Sequence, residues 1–345
     1  MLKRIFALIT ILATLFGFRV ADTVLMVKSP HGIDQTRAFY HQPGNSIDVI
    51  LTGASHIHCG VNTGLLYEDY GIAAYDYSTA EQQFYGTYYY LKEMLKYQKP
   101  RAIVFDPFGS VRADYDYMER FVEENLFGMR FSADKWNMMK ETVPETDYEK
   151  YMPAFFAYHS RYADLTREDL AYLRDKNRIL KTFKGYVPGF NVDPYDLNPA
   201  DFGSSSANLE ARISDKNMEY LRKIIDLTQE EGIELFIVIV PVISTPDDEG
   251  RHLQIQALCE EEGVHYKNFI DCFTEIGMDF KTDFHDWSHL NYWGACKFTH
   301  ALAEYLQSEI ELPDRRGDAR YASWEDFAEE IRQKAANPSE NQLTN

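Results

Sequence analysis

Apolar positions along the chain alternate between short continuous runs and longer stretches at helical spacing. Five runs predict strands, at residues 46–51, 71–75, 101–105, 234–240 and 264–271. The fourth reads Leu235-Phe236-Ile237-Val238-Ile239-Val240, apolar at every position, as a strand covered on both faces has to be. Between the runs lie amphipathic stretches. Residues 85–98 carry Tyr88, Leu91 and Leu95 on one stripe; residues 214–231 carry Met218, Leu221, Ile225 and Leu227 and meet a stop at Gly232. Residues 292–310 close the pattern with Ala295, Phe298, Leu302 and Leu306. This alternation predicts an α/β fold with three layers, α/β/α, around a central parallel sheet of about five strands joined by right-handed crossovers.

Well over a hundred residues separate the third and fourth runs, too many for a simple connection. The body, residues 40–312, is therefore expected to carry a helical insertion at 110–212. Helices are expected at 114–125, 132–140 and 166–182, followed by an ordered loop at 185–206 rich in Gly, Pro, Asn and Ser. An insertion at the carboxyl end of a parallel sheet is well placed to shape a cleft. Residues 313–345 turn polar and are expected to form a tail with a short helix, capped by Ser323 with Asp326 and bearing Trp324, Phe327 and Ile331. Its last dozen residues are expected to fray.

At the other end, Lys3 and Arg4 precede an uncharged apolar run from Ile5 to Phe18. Basic residues ahead of such a run are an export or insertion signal with the charged end left inside. Arg19-Val20-Ala21 puts an arginine where a cleavage site wants a small residue. Residues 1–28 are thus expected to be an uncleaved signal anchor in the cell membrane, with the body outside the cytoplasm; cleavage would make the protein secreted.

The 345 residues, 45% of them hydrophobic, suffice for one large core. Fifty-four Asp and Glu against 35 Lys and Arg give a formal net charge of −19, a field that repels nucleic acid. Tyrosine occurs 24 times; exposed rings stack on sugars, whereas buried ones fill the core. Cys59, Cys259, Cys272 and Cys296 have no metal-ligand spacing, so no metal or other cofactor is expected. Disulfides and buried free thiols both fit their positions.

Candidate chemistry lies at the two ends of the body. Thr52-Gly53-Ala54-Ser55-His56 ends the first strand run, and Asp286-Trp287-Ser288-His289-Leu290-Asn291 precedes the last helix. An open parallel sheet presents reactive groups at the carboxyl ends of its strands, so both segments are expected at one sheet edge. A serine hydroxyl needs a base, and histidine titrates near neutrality. Asp286, three residues before His289, can fix the imidazole. His285 is less well placed for that role. His56 and His58 are candidates for local hydrogen bonds or ligand contacts. Arg161, in the polar cluster His159-Ser160-Arg161, can hold an anionic or carbonyl group or form an ion pair. Ser204-Ser205-Ser206 reads as a turn.

With these two segments in order, the chain resembles the SGNH (GDSL-type) hydrolase superfamily, most closely its membrane-anchored bacterial branch, similar to polysaccharide O-acetyltransferases and D-alanine transfer proteins. The likeness spans residues 46–310 in order of elements, with its sharp motifs at the two ends. It implies a flavodoxin-like SGNH fold, Ser55 as nucleophile, and Asp286 and His289 as its catalytic partners. Two of the family's blocks are absent. Asp76-Tyr77-Ser78-Thr79-Ala80-Glu81-Gln82-Gln83 stands where a glycine amide is expected, and Asp106-Pro107-Phe108-Gly109-Ser110 where Gly-x-Asn-Asp is expected. The oxyanion is then left to the Ser55 amide with Gln82 or Gln83. The implied activity is an extracytoplasmic serine esterase or O-acyltransferase acting on cell-envelope polysaccharide through an acyl-Ser55 intermediate, with a membrane-bound acyl-transfer partner. The alternative is a non-catalytic glycan-binding or assembly subunit that keeps the fold. A cytoplasmic nucleotide binder would need a glycine-rich phosphate loop, which the chain lacks.

Overall fold

In the computed structural model, which describes residues 2–107, 119–151 and 157–340, the five apolar runs become one parallel sheet. Its strands are β1 (Val49–Gly53), β2 (Ala74–Asp76), β3 (Ala102–Asp106), β4 (Glu234–Ile239) and β5 (His265–Asn268), in the spatial order β2-β1-β3-β4-β5. A separate antiparallel pair, β6 (Phe284–Asp286) and β7 (His289–Leu290), follows in sequence. The helices of the first half are α1 (Leu2–Leu25), α2 (Ile33–Phe39), α3 (Ser55–Gly60), α4 (Thr63–Tyr70), α5 (Phe84–Met94), α6 (Glu119–Leu126), α7 (Ala133–Thr142) and α8 (Tyr148–Tyr151). Those of the second half are α9 (Arg167–Thr182), α10 (Asp215–Glu231), α11 (Pro246–Glu262), α12 (Phe273–Ile276), α13 (Tyr292–Glu309) and α14 (Ala322–Ala336). The expected helix at 114–125 is seen from Glu119 onward; its earlier residues lie outside the described ones.

The three layers follow from the pleat of the strands, whose successive side chains face opposite ways. Ile50, Ile103, Phe105, Leu235 and Ile237 enter one core with Phe84, Leu91, Leu221, Ile225 and Leu258. Val49, Leu51, Val104, Phe236 and Val238 enter the other with Ile57, Leu66, Phe298, Leu302 and Leu306. Local signals set the helix ends. The Ser214 side chain accepts from the Asn217 amide to start α10, and Gly232, at φ 66°, ends it. Thr245 and Asp248 form a capping box at α11, with Pro246 as its first residue. The insertion between β3 and β4 packs into the first core through Val122, Leu126, Met138, Met139, Tyr151 and Leu180. Among the described residues, most of the largest fully buried side chains are tyrosines, so part of the tyrosine content fills the core.

The polar tail expected after residue 312 is an integral part of the body. Arg315 holds Asp48 through two hydrogen bonds of 2.8 and 2.7 Å. α14, 15 residues long, buries Trp324, Phe327 and Ile331 and packs on α4. It protects a sheet edge. β2 is an outer strand, and an outer strand exposes unpaired backbone groups. The Trp324 indole donates to the Ala74 carbonyl at 2.9 Å, and the Lys184 carbonyl accepts from the Asp76 amide at 3.0 Å. The tail and the end of the insertion thus complete the hydrogen bonding of β2. Its amphipathic spacing is visible in sequence, but its partners lie some 250 residues away, beyond the reach of local pattern.

α1 is a single N-terminal helix, apolar and exposed, with a mean hydropathy of 1.8 over an 18-residue window, and it fits a signal anchor or signal sequence. Its far end is spliced into the body. Thr23, Val24 and Met26 are buried there. Lys28 donates to the carbonyls of Thr23, Val24 and Met26, and Arg161 to those of Leu25 and Met26. These are the carbonyls a helix end leaves unpaired, and cations also suit the negative end of its dipole. Asp169 ties the two cations together, bidentate to Arg161 at 2.9 and 3.0 Å and 3.3 Å from Lys28. Burial opposes its ionisation, but the Thr166 and Arg161 hydrogen bonds hold its carboxyl down at about 2.

Truncating the edge-protecting indole removes both packing and a hydrogen bond. Trp324→Ala is expected to lower unfolding free energy by about 3–5 kcal/mol, read from denaturant titration. Trp324→Phe should lose much less.

Candidate active site

β1 ends at Gly53, where the chain must pass close to its neighbour. Its φ is +142°, and a Cβ there would sit 2.5 Å from the Asp106 carbonyl oxygen of β3. Only glycine fits such an approach. The chain then swings out of the sheet through extended Ala54 into α3, whose first residue is Ser55. This is the gap between β1 and β3, where the order of connection reverses and α/β sheets open a crevice.

The other arm comes from the β6–β7 pair. Asp286 Oδ1 accepts the amides of Ser288 at 2.8 Å and His289 at 3.0 Å, which folds the tight turn between the strands. Behind it, Asn291 caps α13 through the amides of Trp293 and Gly294 and donates to the carbonyls of Thr282 and Phe284. The turn is therefore held from both sides. His289 Nδ1 lies 2.9 and 3.0 Å from the two Asp286 oxygens, and its Nε2 lies 2.7 Å from Ser55 Oγ. Ser55, Asp286 and His289, separated by 234 residues at the widest step, form one hydrogen-bonded chain.

Protonation follows from the partners. Burial works against the Asp286 charge, yet the hydrogen bond and charge of His289, with the Ser288 amide, hold its carboxyl below the ordinary carboxylate range. An ionised carboxylate only accepts, so His289 Nδ1 donates to it and the neutral ring's Nε2 is left to accept from the Ser55 hydroxyl. A base so oriented is ready to take that proton.

Around this chain lie two aspartates to which sequence reasoning assigned no role, together with His56, His58 and His31. Asp76 and Asp106 end the strands on either side of β1, in register with Leu51 and Gly53. The His56 ring stacks on His289 with centroids 5.3 Å apart, and its Nδ1 is 3.9 Å from Asp106 Oδ2. His58, fully buried, bonds Ser78 Oγ through Nδ1 at 3.1 Å and His31 through Nε2 at 2.7 Å. Ser78 Oγ in turn bonds Asp76 Oδ1. Burial and the neighbouring histidines push the His58 pKa well down, so the ring is neutral. With the Ser78 hydroxyl directed to Asp76, His58 must donate to Ser78 and accept from His31. An aspartate closing each strand beside β1 was the signal available in the sequence.

The expected auxiliary residues are used otherwise. Both amide hydrogens of Gln82 are taken up, by Thr52 Oγ1 at 3.3 Å and Thr87 Oγ1 at 2.9 Å, while Thr79 donates to its oxygen. Gln82 is therefore locked in a buried polar network and has no N–H left for an oxyanion. Gln83 donates to the Glu81 carbonyl and lines a small cavity with Tyr85, Phe121 and Val122, away from the three residues of the hydrogen-bonded chain. Arg161 caps α1 and pairs with Asp169, the ion-pair alternative expected for it. The stretch after β3, which begins Asp106-Pro107, runs into residues 108–118, outside the described ones. Ser204–Ser206 is a 3-10 turn whose first serine bonds Asp271.

His31, His58 and Cys59 bring potential metal ligands within 4.8 Å of one another. They fit an ion poorly. The two imidazoles are bonded directly at 2.7 Å, closer than the roughly 3.4 Å that separates two nitrogens at about 2.1 Å from a tetrahedral zinc. Burial pushes the Cys59 thiol up, favouring the protonated form. All four cysteines are free thiols.

The loop after α9 roofs the site, as an insertion at this end of the sheet can. The Gly185 carbonyl accepts from Gln35, the Val187 amide donates to the His58 carbonyl, and the Gly189 carbonyl accepts from the Tyr292 amide at 2.7 Å. Gly185, at φ +92°, would put a Cβ 2.2 Å from the Asp76 carbonyl oxygen. Beyond it, Tyr195 meets the half-exposed Trp287 edge-on at 5.9 Å, beside Asp286. Comparison with known proteins finds no matching family model and no matching curated protein.

Burial pushes the Asp76 carboxyl up to about 8, against the pull of its Ser78 hydrogen bonds. An acid whose folded pKa exceeds its unfolded value of about 3.9 stabilises the fold below that value, and the contribution is lost as pH rises through the folded pKa. Between about pH 4 and pH 8 the wild type should therefore lose stability that Asp76→Asn retains. Thermal midpoints at pH 5 and pH 8 test this: the variant's relative stability should increase with pH, and a constant offset would refute the assignment.

Proposed function

We propose that the protein is an extracytoplasmic, membrane-tethered serine esterase or O-acyltransferase of SGNH type. The observation that carries this reading is the chain of hydrogen bonds from Ser55 Oγ through His289 to Asp286. Ser55 Oγ attacks the carbonyl carbon of an acyl ester while its proton passes to His289 Nε2. Asp286 stabilises the imidazolium so formed. The tetrahedral adduct collapses as His289 returns the proton to the leaving alcohol, and the acyl group stays on Ser55. A second hydroxyl then attacks, with His289 again as base. Water gives deacylation, and a sugar hydroxyl gives O-acyl transfer.

Several features support cell-envelope polysaccharide as the substrate class. The exposed ring of Trp287 adjoins Asp286 in sequence and packs against Tyr195, offering an aromatic face on which a sugar ring can lie. α1 fits a membrane anchor, and the two ends of the body resemble envelope-modifying members of the superfamily. A membrane-bound partner that delivers the acyl group accords with such a tether. The Ser55 amide at the start of α3 is one candidate oxyanion donor.

A fluorophosphonate probe should label the wild-type protein once per chain and leave Ser55→Ala unlabelled. Asp286→Asn should slow hydrolysis of a small acetyl ester by about 10³–10⁴-fold while leaving the fold intact. Labelling that persisted in Ser55→Ala would remove the nucleophile. An unlabelled wild type that still binds glycan would favour the non-catalytic subunit, a reading to which the engaged Gln82 amide lends some weight.

A further inference from the structure

Where α1 enters the body, three arginines meet around one cavity of about 210 Å³: Arg19 from the helix, Arg37 from α2, and Arg130 from the turn after α6. The chain has 54 acidic residues, yet among the described residues Asp22 is the one carboxylate lining this cavity. None of the three guanidiniums makes an ion pair or a side-chain hydrogen bond among the described residues. Arg130 lies over the Tyr40 ring at 4.2 Å, and Arg37 Nη1 is shut off from solvent without a hydrogen-bond partner. Guanidinium groups left this way have unused N–H pairs matched to the oxygens of a phosphate.

The cavity's depth selects the source of that phosphate. From Ile5 to Phe18 the helix is exposed and uncharged, a length of about 21 Å at about 1.5 Å per residue. The roughly 30 Å of a bilayer's hydrocarbon core is then met with Lys3 and Arg4 at one end and Arg19 at the other reaching out to the headgroups. Arg19, the next residue, then falls at the level of the lipid headgroups. The surface beside it is apolar as well. Phe131, next to Arg130, is 76% exposed, and Leu170 and Leu173 are largely exposed on α9, which packs against α1. Exposed apolar side chains flanking a basic pocket suit the boundary between headgroup and acyl chain. Elsewhere a net charge of −19 repels an anionic surface, so this pocket is where attraction can be concentrated.

We infer that the cavity at the foot of α1 binds the headgroup phosphate of one anionic phospholipid. The inference rests on α1 remaining in the bilayer. Its role is to set the seating of the body on the membrane, independently of the chemistry at Ser55.

The test uses full-length protein in a neutral detergent, with native mass spectrometry after addition of phosphatidylglycerol, phosphatidylcholine or inorganic phosphate. One phosphatidylglycerol should be retained in clear excess over phosphatidylcholine, and Arg37→Gln or Arg130→Gln should each weaken its retention about fivefold. Arg19→Gln, on an exposed helix surface, should do the same without touching the packed body. Thermal melting serves as the folding control. Equal retention of the two lipids, or phosphatidylglycerol binding unchanged by all three substitutions, overturns the inference. Inorganic phosphate that displaces the lipid at equal concentration would mark a site for an adventitious ion only and also overturn it. Carbonate washing of membranes separates the premise: release of the intact chain defeats the anchor, whereas a retained chain with no lipid preference defeats the lipid site alone.

Discussion

Everything at the candidate site depends on how closely β1 passes β3. Gly53 comes so near the Asp106 carbonyl that no side chain can stand there, and this approach turns the chain out of the sheet two residues before Ser55. A larger residue would have to push the strands apart or move the start of α3. Either change would displace the serine from an imidazole supplied by a separate segment at the far end of the body. The hydrogen bond between Ser55 and His289 is thus the visible result of a backbone contact elsewhere.

Much of this was legible in the sequence, and the reasons differ by residue. β4 declared itself because a strand buried on both faces has no polar position to hide it. Asp286 and His289 could be paired because three residues of spacing and one turn settle their geometry locally. Strand limits were displaced by a few residues: β1 begins at Val49, later than residue 46, where Ser46 closes a turn onto the Pro43 carbonyl and donates its amide to Gln98. The partners of Gln82 and Arg161 could not be named from sequence, for a shared reason. Each is a polar side chain whose partner is fixed by packing: Thr52 and Thr87 for one, the end of α1 and Asp169 for the other. No local pattern says which of several polar neighbours will be met. α14 likewise shows its apolar stripe in sequence, while its role as edge cover appears only once β2 is known to be an outer strand.

The polar groups behind the site show how the fold tolerates charge at depth. Asp76, Ser78, His58 and His31 form a continuous run of hydrogen bonds under the roof made by residues 184–190. Burial keeps the acid protonated near neutrality and the His58 imidazole uncharged. Both groups thereby avoid the large cost of an unpaired buried ion. Asp286, by contrast, is held ionised, half-exposed and satisfied by two amides and an imidazole. Charge is placed where the proposed chemistry would use it.

The splice between α1 and the body bears on reach. A catalytic head on a slack stalk samples a hemisphere around its attachment point and can find targets at many heights. Here the last turn of the helix is clamped by Lys28, Arg161 and Asp169, with no free linker between helix and sheet. With α1 upright in a bilayer, the mouth beside Trp287 would work at one altitude and one tilt, like a tool on a fixed arm. Under the proposed function, only acceptor groups that pass through that thin stratum would be modified, and the length of a polymer would matter less than where along it the strand crosses the arm's level.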